Sequence, residues 1–516
     1  MDSSTGPDGI ATMVLRTCAV ELAYPLAILI RRMVSSCRWP DVWREHWVVP
    51  LFKKKSRADP NNYRGVHLTP QLPKAAERVV GKLFQRFLEK SGAYGDRQFA
   101  YGKGKGVRDA LALSVLSWLL AMEFGNVVGL YCSDVSGAFD RVCAKRLADK
   151  LATLHLHPKI HGLLVSWLAP RVSKVAVEGK LSAATPLTNS AFQGTVWGPP
   201  LWNCFYADAS KAVAKNDLLD IVFADDLNCT KIFPNSKSND DILLEGKKCQ
   251  KELHAWGAAN RVSFDPGKES LHVLHRSRGQ GGNFKILGVT YDTALVMHDA
   301  CRELAVEAGW RLKSLIRSRK FHTTKEMFRL YKAEILSFIE SRTAGIHHAA
   351  VSNLACIDRV QRRFLSEMST SEHEALTKWN LAPLSCRRHI AMLGLLHRVA
   401  WRRAPAALCD LFALKPPVEF YGQLRGLSRR HQWQFLEPIQ LVGSRYTDVF
   451  ARSVFGLVTV WNMLPADLVS CSSVKTFQKR LRLAVVKRAQ SSTEFVDFFS
   501  DAKRMTVPVF QRFFGA

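Results

Sequence analysis

The chain has 516 residues, of which 47% are apolar and 23% are charged. This composition is that of a folded globular protein of about three domains and excludes a fibrous or wholly disordered chain. Lys and Arg number 73 against 45 Asp and Glu, a formal net charge of +28. Because the excess is spread along the chain, it favours a polyanionic partner such as nucleic acid over a merely basic soluble protein.

Cysteine usage and hydropathy bear on where the protein works. The twelve cysteines form no CxxC pair, and no secretory leader is recognisable. Reduced thiols and an intracellular location, in the nucleus and cytoplasm, are therefore expected. The most apolar early segment, residues 11–30, contains Arg16, Glu21 and Pro25, so it lacks the run of about 18 apolar residues that a membrane span needs. We expect a packed amphipathic helix there and no membrane anchor.

The first part of the chain mixes strands and helices. Residues 46–52 are typical of a strand, and a basic loop rich in turn formers, 53–65, follows. A helix is predicted over 107–124, and a buried strand that ends in a carboxylate over 126–135. Two sets of paired strands follow, over 172–192 and 220–233, and then a helix. The segment 283–292 returns to strand.

Helical periodicity dominates beyond about residue 293. This shift from mixed to helical is the clearest domain boundary in the sequence. We predict three parts, namely residues 1–292, 293–370 and 371–516. No internal repeat is recognisable.

Three aspartates are candidates for one metal site. Asp134 ends the buried strand 126–135, and Asp225 and Asp226 lie at the turn of the strand pair 220–233. If these strands are neighbours, the carboxylates converge and offer the oxygen ligands that Mg²⁺ takes. Taken alone, an Asp pair at a solvent-exposed turn is common, and on that motif a metal site is the less favoured interpretation.

Eight short segments occur in one order along the chain, and together they are far more specific than any one of them. They are GPDGI at 6, PLFKKKSRADPNNYRG at 50, QFAYGKGKGVRDAL at 98, SDVSGAFDRV at 133, FQGTVWGPPLWNCFYAD at 192, FADD at 223, VSFDPGKES at 262 and FKILGVTYD at 284. The set resembles the reverse transcriptase domain of non-LTR (LINE-type, jockey-like) retrotransposons over residues 1–295, and more loosely to the end. The resemblance implies an α+β right-hand polymerase with fingers, a palm with an antiparallel sheet, and a helical thumb at 293–370, followed by a mainly helical carboxy-terminal region.

The resemblance assigns roles to the carboxylates and to one lysine. It implies that Asp134 and Asp225 bind two Mg²⁺ ions, with Mn²⁺ as an alternative metal, and that Asp226 supports the site. Lys268 in DPGKES would protonate the leaving pyrophosphate, although a plain surface lysine is nearly as well supported. Asp265 stands where the family usually has asparagine.

Five further residues match positions that hold the nucleotide in the family. Phe139 would exclude a 2′-hydroxyl, or it is a core phenylalanine. Gln193 and Gly194 match the family's PQG, in which glycine allows a close backbone approach; a plain turn glycine is the alternative. Lys53 and Arg64 would hold the triphosphate, or they belong to a solvated basic loop.

Two departures from the family pattern put the packing around these residues in doubt. Gly65 stands where the family has proline, and Trp197 stands near Gly194 where leucine is commoner. The loop that carries Lys53 and Arg64 is therefore expected to be less rigid than in the family.

A cluster of cations follows the mixed part of the chain. It comprises Arg311, Lys313, Arg317, Arg319 and Lys320. In the implied thumb these side chains would grip the template-primer backbone in a sequence-independent way. An ordinary solvated helix face is the alternative. Residues 371–516 are expected to bind nucleic acid as well.

The implied function is RNA-directed DNA polymerisation as part of a retrotransposon. The substrates would be an RNA template, a DNA primer and deoxynucleoside triphosphates. Because the chain starts at the first polymerase motif, it is interpreted as a truncated form that lacks the family's endonuclease, which a separate protein would supply. The alternative is a catalytically decayed, reverse-transcriptase-derived nucleic-acid-binding protein.

Overall fold

The computed structural model describes residues 5–53, 56–188, 191–214, 218–415, 431–443, 447–492 and 494–515. The predicted α+β class, with a mainly helical carboxy-terminal region, is confirmed. The strands are β1 (Glu45–Phe52), β2 (Tyr63–Leu68), β3 (Val127–Ser133), β4 (Arg171–Val177), β5 (Lys180–Leu181), β6 (Thr185–Leu187), β7 (Leu219–Phe223), β8 (Asp226–Phe233), β9 (Ser270–Leu274), β10 (Phe284–Ile286) and β11 (Val289–Tyr291).

Helices separate the strands and continue to the end of the described chain. Up to the last strand they are α1 (Thr12–Thr17), α2 (Ala19–Ser36), α3 (Gln71–Lys90), α4 (Val107–Glu123), α5 (Ala144–Ala152), α6 (Pro158–Trp167), α7 (Gly198–Tyr206), α8 (Ala209–Ala214) and α9 (Asn239–Asn260). After it they are α10 (His298–Arg317), α11 (Thr324–Leu330), α12 (Ser337–Glu340), α13 (Thr343–Ile346), α14 (Val351–Glu367), α15 (Glu372–Thr377), α16 (Leu384–Ala400), α17 (Ala406–Cys409), α18 (Pro438–Val442), α19 (Asp448–Arg452), α20 (Val458–Met463), α21 (Ala466–Val469), α22 (Val474–Ser491), α23 (Phe498–Asp501) and α24 (Val507–Gln511). A π-helical segment, Tyr331–Leu336, joins α11 to α12.

The strand pairs follow the predicted pattern closely. One sheet has the order β2-β1-β4-β5, with β6 also pairing β4, and another has the order β7-β8-β3-β9. The segment 283–292 differs from prediction, because it forms the two-strand hairpin β10–β11 and not one strand. The chain reverses there at Leu287 and Gly288, both of which have a positive φ.

The apolar amino-terminal segment is helical, as predicted, but it packs only in part. Of the residues of α2, Ile30 and Met33 are buried, whereas Val20 and Tyr24 are 84% and 75% exposed. Among the described residues, no helix combines the length and the apolar character that crossing a bilayer requires.

The chain folds into two compact units. The first comprises residues 1–102, 131–230 and 245–270, and the second comprises 103–130, 231–244 and 271–516. The predicted domain boundaries at 292 and 370 stay predictions.

A buried polar network lies in the first unit. The Arg171 guanidinium donates to His46 Nε2 at 2.8 Å and lies over the Phe192 ring, 3.9 Å from its centre. The buried carboxylate of Glu77 accepts a hydrogen bond from the Trp167 indole at 2.8 Å. Burial lowers the pKa of Arg171 to about 9 and raises the pKa of Glu77. Buried charges of this kind are tolerated only when they are hydrogen-bonded.

This network predicts acid sensitivity. Burial, and then the Arg171 charge, lower the pKa of His46 to about 2. Because the folded-state pKa lies below the unfolded value of about 6.5, the contribution of His46 is present above pH 6.5 and is lost as the pH falls toward 2. The free energy of unfolding should fall by up to about 1.4 kcal/mol per pH unit from this group. Denaturant titrations between pH 7 and pH 4 measure that slope.

A His46→Gln variant provides the comparison. Glutamine keeps an acceptor within reach of Arg171 and does not titrate, so the slope should be shallower than in the wild type. Equal slopes in both proteins would show that His46 is not the titrating group.

Candidate active site

The β7–β8 hairpin places Asp225 in its turn and Asp226 at the start of β8. Phe223 pairs with Asp226, which leaves Ala224 and Asp225 as the two turn residues. Ala224 has a φ of +58°, which is uncommon for a residue with a side chain. The turn therefore needs support from outside the hairpin.

Two side chains hold this turn through the backbone of Ala224. Gln98 accepts from the Ala224 N–H at 2.9 Å and donates to its carbonyl at 3.2 Å. The Trp202 indole donates to the same carbonyl at 2.9 Å. Neither positioning residue is predicted from the sequence, although Gln98 lies in QFAYGKGKG and Trp202 lies in WGPPLW, and these two motifs are the signal that could have found them.

The third aspartate reaches the same place from the strand that pairs with β8. Asp134 follows β3 directly, and its side chain is 12% exposed. Its carbonyl accepts from the Asp265 N–H at 3.0 Å, and Val135 bridges Phe264 in antiparallel fashion. The predicted convergence of strand-end carboxylates is thus what the structure shows.

The three carboxylates repel one another in a partly buried site. Burial raises the pKa of Asp225, and the charge of Asp134 raises it further, against smaller opposing effects of Lys268 and Arg64. Burial, followed by the charges of Asp134 and Asp225, raises the pKa of Asp226 to about 7. The nearby hydroxyl of Tyr206 is buried without a hydrogen-bond partner among the described residues. The site therefore has an excess of negative charge.

This arrangement fits a hard divalent cation through the chemistry of its donors. Carboxylate oxygens are the ligands that Mg²⁺ prefers, and one or two carboxylates with substrate phosphates and water usually suffice. Among the described residues, no group of three or more His, Cys, Asp or Glu side chains forms a ready-made metal cage. The donors that the site offers are the carboxylate oxygens of Asp134, Asp225 and Asp226.

Lys268 is brought to this site over a long sequence separation. Its ammonium group hydrogen-bonds the Asp134 carboxylate and lies 3.8 Å from Asp265. The hydrogen bond to Asp134 raises the pKa of Lys268, so the side chain carries its proton. A reverse turn, in which the Lys268 N–H donates to the Asp265 carbonyl at 2.9 Å, sets this position.

Gly194 lies in a conformation and a space that only glycine fits. Its φ is +82°, and an added Cβ would lie 2.5 Å from the carbonyl oxygen of His67. The Thr69 hydroxyl donates to the Gly194 carbonyl at 3.4 Å. The close approach that the structure shows is to the strand β2, and the approach of template and nucleotide to Gly194 stays a prediction. The neighbouring Gln193 is half-buried.

Phe139 is half-buried beside the carboxylate turn. Its ring centre lies 5.8 Å from that of Trp202, the residue that holds Ala224. The ring is therefore neither in the deep core nor fully exposed. This position is compatible with contact to a bound sugar.

The two predicted phosphate-binding cations lie on the β1–β2 hairpin. Lys53 and Arg64 are both exposed, and the Lys53 N–H donates to the Asn62 carbonyl at 2.8 Å. Arg64 pairs with Leu51 across the strands, and its charge reaches Asp225. Residues 54 and 55 of this basic loop lie outside the described residues.

A comparison with protein families identifies this part of the chain. Residues 52–291 match the model of the family described as reverse transcriptase (RNA-dependent DNA polymerase). We call this matched segment, which is just under half of the chain, the reverse transcriptase domain. The resemblance inferred from the eight ordered segments is confirmed by this match.

Relatives of the reverse transcriptase domain come from mobile elements. The chain is 26% identical over 322 residues to the RNA-directed DNA polymerase from mobile element jockey of Drosophila melanogaster, covering 57% of this chain and 34% of the relative. It is 30% identical over 269 residues to the jockey polymerase of Drosophila funebris, covering 51% and 29%. The chain thus spans about a third of the length of these relatives. It is also similar to a solved telomerase from Candida albicans with a fragment of telomeric RNA, at 13% identity and a TM-score of 0.35, over 68% of each chain.

The residues that depart from the family pattern are well accommodated in the reverse transcriptase domain. Trp197 is fully buried, its ring centre lies 5.2 Å from that of Trp39, and its indole donates to the Glu77 carbonyl at 2.7 Å. An added Cβ at Gly65 would lie 3.0 Å from a Val48 methyl group, so glycine suits this strand. Trp197 is thus packed and hydrogen-bonded despite its departure from the pattern, whereas the lower rigidity expected of the loop at Gly65 stays a prediction.

The cations predicted for the thumb lie on or after α10, beyond the reverse transcriptase domain. Arg311, Lys313, Arg317, Arg319 and Lys320 are all exposed. Arg311 pairs with Glu307 at 3.1 Å, and its guanidinium lies 3.9 Å from the centre of the Phe338 ring. Lys313 lies over the exposed ring of Trp310 at 5.2 Å. Cations beside exposed aromatic rings suit contact with phosphates and bases.

Proposed function

We propose that the chain is an RNA-directed DNA polymerase of a non-LTR retrotransposon, working in a right-hand arrangement of fingers, palm and thumb. The observation that carries this proposal is the convergence of Asp134, Asp225 and Asp226 at one partly buried point of a reverse transcriptase domain. Three mutually repelling carboxylates are costly for the protein alone and are balanced when a cation binds. A phosphoryl-transfer site accounts for that cost.

The residues of the chain would position the reactants. Asp134 and Asp225 would hold two Mg²⁺ ions, or Mn²⁺ in their place, with Asp226 in support. When bound, such ions supply the positive charge that stabilises the attacking and leaving oxygens of an in-line displacement. Lys268 holds a proton next to Asp134 and is suited to deliver it to the leaving pyrophosphate.

Other residues would select and hold the nucleotide. Lys53 and Arg64 on the β1–β2 hairpin would contact the triphosphate. The half-buried ring of Phe139 would occupy the space of a 2′-hydroxyl and so favour deoxynucleotides. Gln193 and Gly194 would line the place where template and nucleotide meet.

The proposed partners follow from the same chemistry. An RNA template and a DNA primer would lie along the cationic surface, with Arg311, Lys313, Arg317, Arg319 and Lys320 on the backbone of the duplex. Residues 371–516 would add nucleic-acid contacts, and a separate endonuclease would supply the nick that provides the primer.

Primer extension tests the proposal. Purified full chain should extend a DNA primer on an RNA template in the presence of Mg²⁺ and the four deoxynucleoside triphosphates. Extension should stop on addition of EDTA and resume when excess Mg²⁺ is added. Soluble, folded protein that binds both nucleic acids and adds no nucleotide, with Mg²⁺ or with Mn²⁺, would contradict the proposal.

That contrary result would support the second candidate, a catalytically decayed nucleic-acid-binding protein. One observation favours it: the Lys268 ammonium occupies the Asp134 carboxylate, where a metal would otherwise be held. Because the Lys268 side chain is 61% exposed, the pair can open without repacking the core. The extension assay distinguishes the two functions directly.

A further inference from the structure

A second strongly cationic site lies in the second unit, among the helices of the carboxy-terminal region. It is a cleft of about 290 Å³ that α4, α16 and α22 help to line. Its charged lining residues are Arg108, Arg387, Lys475, Lys479, Arg482 and Glu340. Five cations therefore face one carboxylate.

Glu340, the one carboxylate among these lining residues, already has a partner. Glu340 accepts a hydrogen bond from Arg387 at 2.6 Å. Within the described residues, no ion pair joins any of the other four cations to an acid. The cleft thus carries an excess of about four positive charges that no side chain of the described structure balances.

The cations are close enough to act on one another. Burial, and then the charge of Arg387, lower the pKa of Arg482. The adjacent Lys332 has its pKa lowered by burial and then by the charges of Arg387 and Arg482. Like charges gathered in a partly buried cleft destabilise the free protein and become favourable when an anion binds.

The helix α22 is built to present its cations on one side. Lys475, Lys479 and Arg482 are spaced four and three residues apart, which places them on one face over a length of about 10 Å. The opposite face buries Phe477 and Leu481. Gly394 of α16 admits this close packing, since a Cβ there would collide with the Gln478 amide.

We propose that this cleft binds successive phosphates of a single-stranded nucleic-acid backbone, as a site separate from the carboxylate site. The proposal rests on the proposed function only for the choice of nucleic acid as the polyanion. A spread of about 10 Å exceeds one phosphate group and suits a chain of phosphates. The contact is electrostatic and independent of base sequence.

The salt dependence of binding tests the cleft. A triple variant, Lys475→Gln with Lys479→Gln and Arg482→Gln, should bind a labelled single-stranded RNA more weakly than wild type at low salt. Each lost phosphate contact lowers the slope of log K against log salt by about 0.7 for a single strand, so the slope should fall by about 2. The control is Lys487→Gln, which changes an exposed lysine of the same helix outside the cleft. An unchanged slope, or an equal loss in the control, would overturn the proposal.

The thermal midpoint of the triple variant shows whether the variant is correctly folded. Because the three cations repel one another, their neutralisation should leave the thermal midpoint of the free protein unchanged or higher. A lower midpoint would assign these residues to packing and overturn the proposal. If inorganic tripolyphosphate stabilises the wild type while the RNA does not bind through these residues, the cleft is a small-anion site and the proposal fails.

Binding and polymerisation are separable in this design. RNA binding by the full chain is measured without nucleotides or Mg²⁺, so a slope change stands even if no extension is seen. If the triple variant extends primers and the salt dependence of its RNA binding is unchanged, the polymerase proposal stands and the cleft proposal fails.

Discussion

Asp225→Asn should abolish primer extension. The substitution removes one charge from the carboxylate turn and keeps the shape of the side chain. A divalent cation would lose a ligand, and the transition state would lose the charge that stabilises it. We expect the rate to fall by at least about a thousandfold, which corresponds to about 4 kcal/mol of transition-state stabilisation. Single-nucleotide incorporation on an RNA template measures this directly.

The stability of the same variant separates chemistry from folding. Burial and Asp134 raise the pKa of Asp225, so its negative charge is disfavoured in the free protein. Asp225→Asn should therefore melt at the same temperature as the wild type or higher. Asp240→Asn, at an exposed position in the first turn of α9, is the matched control and should extend primers normally. Full activity in Asp225→Asn would remove this residue from the mechanism.

Gly194→Ala should destabilise the protein strongly, because it adds a methyl group where the structure leaves no room. The backbone of Gly194 has a φ of +82°, and the new Cβ would press on the His67 carbonyl at 2.5 Å. The left-handed conformation costs alanine about 1 to 2 kcal/mol, and forced overpacking adds about 1 to 3 kcal/mol. We expect the free energy of unfolding to fall by about 2 to 5 kcal/mol, measured by denaturant titration. Extension should fall as well, because the loop that carries Gln193 must move.

Gly92→Ala isolates the steric part of this effect. Gly92 also has a positive φ, +71°, but an added Cβ there meets nothing within 4 Å. Its substitution should cost only the backbone strain, about 1 to 2 kcal/mol. Equal losses in the two variants would mean that the contact with His67 carries no weight.

The sequence by itself determined the local elements and the set of candidate residues. The alternation of apolar and polar residues, together with turn-forming residues, located β1, β4 and the β7–β8 hairpin, because these signals depend only on neighbours in the chain. The same signals located Asp225 and Asp226 at or near the turn. The order of eight segments led to the reverse transcriptase family, which the match over residues 52–291 confirms. The roles of the site residues remain predictions.

Some features escaped the sequence because they depend on contacts between distant residues. Gln98 and Trp202 hold Ala224 through hydrogen bonds that span 126 and 22 positions. The packing of Trp197 against Trp39 likewise depends on residues far apart in the chain. A pattern in one sequence cannot show such pairs, since hydrophobic periodicity shows which face of an element is buried and not which residues pack against that face.

The tertiary structure also decided what two short patterns mean. An Asp pair at a turn could have been solvated, and only the packing beside Asp134 crowds the three carboxylates together. Burial, and then the charges of Asp134 and Asp225, raise the pKa of Asp226 to about 7 as a result. The cations of α22 could have been a solvated helix face. In the folded chain Arg108 and Arg387 lie beside them, and together these cations line one cleft. The sequence does not show this, because charges act through space and not along the chain.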